Sequence, residues 1–255
     1  MKLFLKEGRY IDTDQPIDIS IPLVSGKENL TAWYVDPPRF EPVRANGFIG
    51  SVAEGGSVNF KDIYFNPHGH GTHTECLGHI TRDVYSVNKS LRTFFWNAQV
   101  ISVTPETDIN LKDGHQDRII RTSAVERAIK GIDTIEALII RTFPNNKEDK
   151  IGKAYSDTNP AYLEIGIVDV LNKLKVKHLL VDLPSVDRES DEGKLAFHHL
   201  YWNTSGQPDQ SRTITELVFL EDSIEDGAYL LELQVAPFEN DASPSRPVLY
   251  RINNK

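Results

Sequence analysis

The chain has 255 residues and a net charge of −9, enough length to bury a sizeable core in one large domain or two small ones and the wrong charge balance for a nucleic-acid binder, which presents a basic face. A single cysteine, Cys76, excludes an internal disulfide, and no apolar run approaches the roughly 20 residues of a membrane helix. The amino-terminal residues turn polar within a few positions, without the apolar stretch of a signal peptide, so the expectation is a soluble, cytoplasmic protein that does not bind membranes.

The first third is read as β-rich. Ile17–Leu23 alternates apolar and polar residues with the period of a half-buried strand. Thr31–Val35 is a second candidate, broken by Pro37-Pro38, and Phe48–Val52 and Val58–Phe65 follow, separated by Gly55-Gly56. Ala98–Val103 reads as a strand, and Thr122 or Ser123 caps a short helix that Gly131 ends. Ala137–Ile140 is wholly apolar, as in a buried strand, and Leu179–Leu183 reads as another buried strand. Between them Asn159-Pro160 is expected to open a helix carrying Leu163, Ile167, Val170, Leu171 and Leu174 on one face. Strand, helix, strand in this order predicts parallel neighbours with a right-handed crossover. Gly193–Trp202 reads as a short helix, and Thr213–Phe219, Tyr229–Val235 and Val248–Ile252 as closing strands. The fold class is α/β, strand-rich with few helices, and no linker divides it, so residues 1–255 form one domain.

Asn66–Ile80 reads Asn-Pro-His-Gly-His-Gly-Thr-His-Thr-Glu-Cys-Leu-Gly-His-Ile and holds four of the eight histidines of the chain: His68, His70, His73 and His79. Imidazoles and a carboxylate, Glu75, are the ligand types that suit zinc, manganese or iron. The loop follows a candidate strand, a rigid place for chemistry. Glu216 is followed by Leu217-Val218-Phe219, and a carboxylate in apolar company needs a partner, for which a metal is suited. His178 is read as a surface or capping residue. Trp33 and Trp202 are candidates for a substrate pocket, and Asp182, Ser185 and Asp187 either shape the floor of the site or only organise a turn.

The loop, taken with the carboxy-terminal half, resembles the cyclase family of metal-dependent hydrolases, which includes bacterial kynurenine formamidase and isatin hydrolase. Its signature is His-x-Gly-Thr-His-x-Asp-x-Pro-x-His, matched here from Gly71-Thr72-His73 to His79 with Glu75 and Leu77 as substitutions. Ile17–Ser20, Ile139–Thr142, Val181–Asp187, Phe197–His199 and Asp241–Arg246 resemble further family segments in the right order. The resemblance implies a mixed-sheet, swivelling β/β/α-type domain. It also implies a divalent metal, zinc or manganese, as one or two ions, and a homo-oligomer, dimer or tetramer. By position His68, His73 and Glu75 bind metal, His198 and Glu216 complete the site, and His79 is the acid/base residue. The first signature histidine falls on Gly69, so His68 and His70 compete for that place; His68 is preferred because it directly follows the strand and Pro67. His199 competes with His198. The implied reaction is hydrolysis of an amide-type C–N bond (formamide, lactam or cyclic amide) of a small molecule by metal-activated water. A non-catalytic metal- or small-molecule-binding relative, or a metal-dependent lyase or isomerase, is the alternative.

Overall fold

The computed structural model describes residues 1–112 and 114–254. Its centre is a nine-stranded mixed sheet. In chain order the strands are β1 (Ile17–Asp18), β2 (His73–Glu75), β3 (Phe95–Val103), β4 (Ala137–Thr142), β5 (His178–Val181), β6 (Thr213–Glu216), β7 (Gly227–Glu232), β8 (Ala242–Pro244) and β9 (Val248–Arg251). In space the order is β8-β2-β6-β5-β4-β3-β7-β9-β1. β3, β4, β5 and β6 run parallel, and the strands outside this block join it antiparallel. The short helices are α1 (Pro67–His70), α2 (Val87–Ser90), α3 (Thr122–Ala128), α4 (Ile167–Leu174) and α5 (Ala196–Tyr201).

The apolar runs explain the parallel block. Every residue of β4 and β5 is buried, because each face of these strands packs on a core. Leu138, Ile140, Leu179, Val181 and Ile214 meet Val125, Leu171, Phe197 and Trp202 of the helical layer. The alternate residues Ile139 and Leu180 meet Val100, Tyr229, Leu231 and Leu249, where the curled sheet closes over its other face. As expected, β4 and β5 are parallel neighbours with α4 between them in sequence. Among the described residues no helix is long and apolar enough to cross a membrane.

Several elements differ from the sequence expectation. The helix expected from Asn159 begins at Ile167. Asn159 takes a left-handed φ of 46°, its side-chain amide donates to Asp117 and to the Gln116 carbonyl, and Tyr162–Leu163 pairs with Ile119–Ile120 instead of turning into helix. Thr31–Val35 contributes only an isolated bridge from Thr31 to Ala154, because Trp33 and Tyr34 are both left-handed. Of Val58–Phe65 only Lys61–Tyr64 is extended, paired with Arg39–Pro42 and exposed throughout. His178 is not at the surface: it is buried, donates or accepts through Nδ1 with Thr213 Oγ1 at 2.8 Å, and packs on Trp96.

Candidate metal centre

The local sequence dictates how the histidine loop is presented. Asn66 caps α1, its side-chain oxygen accepting from the His68 and Gly69 amides at 2.9 and 3.1 Å, and Pro67 occupies the first helical position. One tight turn later the chain becomes β2, where His73 and Glu75 share a face by alternation. Glu216, at the end of β6, lies directly across from His73. His79 is on the 3-10 turn Leu77–Ile80, and His198 is on α5.

Six of the seven expected site residues therefore converge. His68 Nδ1 is 3.1 Å and His79 Nε2 is 3.7 Å from Glu75 Oε2. His198 Nε2 is 3.1 Å from Glu75 Oε1 and 4.0 Å from Glu216 Oε1. His73 Nε2 faces Glu216 Oε2 at 3.5 Å. The ligand-type atoms of His68, Glu75 and His79 lie within 4.8 Å of one another, as do those of His73, Glu75 and Glu216, so Glu75 belongs to both groups.

His70 is the exception. Its Nδ1 accepts from the Asn66 amide and its Nε2 donates to the Asp36 carbonyl, both at 2.8 Å. With both nitrogens committed to backbone it braces the loop and does not face the cluster; burial lowers its pKa. Position 69, where the family signature has its first histidine, has no room for a side chain. An ideal Cβ on Gly69 would stand 2.7 Å from Val35 Cγ2 and 3.0 Å from the Ala32 carbonyl oxygen. The segment carrying Ala32 and Val35 seals that position, and the imidazole enters from His68 instead. His199 is exposed and pairs with Thr204, while His198 is buried in the cluster.

Neighbouring groups fix the rings. The His73 Nδ1–H donates to the Gly71 carbonyl at 3.0 Å, which aims an unprotonated Nε2 inward. Asp187 accepts from His198 Nδ1 at 2.6 Å and from the amides of Phe197 and His198. Asp241 accepts from His68 Nε2 at 2.8 Å. Asp187 thus does more than organise a turn, and Asp241 escaped sequence reasoning; the only signal was its place at the head of the Asp241–Arg246 segment. Val186 donates to Glu216 Oε1. Trp202 does not line a pocket: it is fully buried, and its indole donates to the Arg212 carbonyl. Cys76 is a buried thiol beside the Tyr85 carbonyl.

The electrostatics are those of an acidic cluster holding protons. Burial works against charge on His68 and His198, but the carboxylates of Asp241 and Glu75 beside the first, and of Asp187, Glu75 and Glu216 beside the second, push both up to about 10. Burial would raise Glu75, yet His79, His198 and His68 hold it well below the usual carboxylate range. His73 Nε2 and Glu75 Oε2 remain buried without a hydrogen bond, a costly arrangement unless a cation meets them. Nitrogen and oxygen donors about 2.0–2.1 Å from a tetrahedral zinc are about 3.3 Å apart, close to the 3.1 Å that separates Glu75 from His68 and from His198 and the 3.5 Å of His73 and Glu216. The donor set and its spacing fit a divalent metal.

Comparison with known proteins agrees in sequence and fold. The kynurenine formamidase of Bacillus cytotoxicus is 26% identical over 247 residues, covering 96% of this chain and 99% of its own. That of Bacillus anthracis is 26% identical over 250 residues, 97% and 100% of the two chains. Isatin hydrolase A from Labrenzia aggregata superposes with a TM-score of 0.64 at 12% identity over 92% of this chain and 93% of its own. A chain described as a potential metal-dependent hydrolase with cyclase activity gives 0.64 at 14% identity, over 92% and 97%. The family described as Putative cyclase matches residues 17–188, well over half the chain, and the protein belongs to that family.

Proposed function

We propose that the protein is a metal-dependent, arylformamidase-like hydrolase that cleaves an amide-type C–N bond (formamide, lactam or cyclic amide) of a small molecule. The observation that carries this reading is the pair of buried acceptors without hydrogen bonds, His73 Nε2 and Glu75 Oε2, in a cluster of four imidazoles and two carboxylates. The kynurenine formamidase relatives, aligned over nearly their whole length, supply the substrate class.

In this reading His68, His73, Glu75, His198 and Glu216 would hold zinc or manganese, as one or two ions. The bound cation supplies Lewis acidity toward the substrate carbonyl and the attacking water. The Gly71 carbonyl keeps the proton of His73 on Nδ1, and Asp187 does the same for His198, so each ring presents Nε2 as a donor atom. His79 is partly exposed, at 28% of its side chain, and takes the proton of the attacking water through Nε2. It then returns that proton to the leaving amine nitrogen as the C–N bond breaks.

Exposed Phe48, Phe60, Ile63 and Tyr64 on the residue 39–65 ribbon support a homo-oligomer, dimer or tetramer, in which this apolar surface meets another copy. The unpaired, buried Cys76 supports a reducing compartment such as the cytoplasm.

The test is metal analysis of the purified protein with turnover assays on an N-formylated aromatic amine and on isatin. One or two ions per chain and a product that has gained water are expected. A protein that holds no divalent metal, or a metal-loaded protein that turns over neither substrate, contradicts the reading.

A further inference from the structure

Asp241 touches two imidazoles of the cluster and has no part in the steps above. Its backbone is pinned beside the loop: the Cys76 amide donates to its carbonyl at 3.0 Å. Gly78 allows the close approach, since a Cβ there would stand 2.3 Å from the Tyr85 carbonyl oxygen and 3.2 Å from Asp241 Cβ. From this position one oxygen, Oδ2, reaches His68 Nε2 at 2.8 Å and His79 Nδ1 at 3.4 Å. The two rings stack with centroids 4.2 Å apart and planes at 29°. A carboxylate only accepts hydrogen bonds. Nδ1 of His79 is the nitrogen nearer a carboxylate, 3.4 Å from Asp241 against 3.7 Å between Nε2 and Glu75, and Glu75 would be given over to the metal in the loaded site, so a neutral His79 ring keeps its proton on Nδ1 and its lone pair on Nε2.

We infer that Asp241 is a positioning residue for the hydrolysis: it holds His79 as the Nδ1–H tautomer, with Nε2 turned toward Glu75 and the reacting groups. The same oxygen ties His79 to His68, so the acid/base ring and a metal ligand are set by one carboxylate. This rests on the reading of His79 as the acid/base residue. The orienting logic is that of a carboxylate behind a catalytic imidazole, where replacing the carboxylate by its amide leaves the geometry but selects the wrong tautomer.

The experiment compares zinc-loaded wild type, Asp241→Asn, His79→Ala and the double variant, assayed on an N-formylated aromatic amine. Asp241→Asn should keep its zinc content and a KM within about threefold, while kcat falls about 10²–10⁴-fold. In the His79→Ala background, adding Asp241→Asn should change kcat by less than about threefold, because the second change has nothing left to act through. Long-range proton–nitrogen NMR of the zinc-loaded wild type, recorded where His79 is neutral, should show the proton on Nδ1; this decides the question even if the variant fails to fold. Three results overturn the inference: a proton on Nε2 in the wild type, a kcat for Asp241→Asn within about threefold of wild type, or zinc lost in step with activity, which would place its action on His68 alone. If His79→Ala keeps its kcat, the acid/base reading itself fails; if His79→Ala is inactive while Asp241→Asn is active, only the role of Asp241 fails.

Discussion

The molecule carries two buried polar clusters, and they solve the same problem differently. Glu75 pairs in register with Ile214 and Glu216 with His73, so the two carboxylates share a face of β2 and β6. Asp182 directly follows β5, which ends at Val181. There Lys150 Nζ ion-pairs with Asp182 Oδ2 and donates to Asn145 Oδ1 at 2.8 Å and to both oxygens of Thr142 at 3.2 Å. The Thr142 amide also donates to Asp182 at 2.8 Å. Asp182 Oδ1 still lacks a hydrogen bond, but the charge is met by a lysine from the chain itself. Among the described residues no lysine or arginine does this around Glu75; protons on His68 and His198 stand in. A cluster that carries its own cation is structural. One whose carboxylates are balanced only by removable protons is built to exchange them for a metal.

The largest way to break the contrast is His73→Ala, which removes an inward-facing Nε2 and should abolish both metal content and turnover, read by elemental analysis and assay. Lys150→Met should do the reverse. Leaving Asp182 buried and unpaired should cost about 3–5 kcal/mol in a denaturant titration, with metal content per folded chain unchanged.

Protons sharpen the same comparison. His68 and His198 sit at about 10 in the metal-free fold against about 6.5 unfolded. The native state therefore binds more protons between those values. Their contribution to metal-free stability is complete below about pH 6.5 and is lost as pH rises through about 10. Metal binding must displace these protons, so apparent zinc affinity should tighten about tenfold per pH unit for each proton released, measured by competition with a chelator. His178 has no acidic partner, and burial drives it down to about 3. Here the unfolded state binds more protons, so stability should fall as pH drops from about 6.5 toward about 3, by up to about 1.4 kcal/mol per unit. His178→Gln should flatten that slope in acid-side denaturation curves.

How much of this was legible from residues alone depended on range. The parallel block was readable because short apolar runs, Ala137–Ile140 and Leu179–Val181, report burial on both faces, and the expected strands Ala137–Ile140 and Leu179–Leu183 lie within about two residues of β4 and β5. The start of α4 was not, because the capping signal of Asn159 is spent on Asp117, a partner more than 40 residues away. The loop announced its own chemistry, and the family pattern supplied the distant His198 and Glu216. The choice between His68 and His70 needed Val35 and Ala32, whose packing on Gly69 no spacing reveals. Asp241 and His178 were hidden for the same reason: a lone polar residue says nothing of what the fold folds over it.

The position of β2 has a consequence for how the chain matures. Its two sheet neighbours are β6 and β8, drawn from residues 213–216 and 242–244, so the histidine loop leaves the ribosome long before either edge of its slot exists. Pairings of such sequence separation come late and slowly. With the proposed ligands, ion capture would need residues on both sides of that slot and would be tied to the docking of β6. A nascent chain stalled before β6 would display its histidines without their enclosure, and holding the metal would report that β6 and β8 have docked on β2.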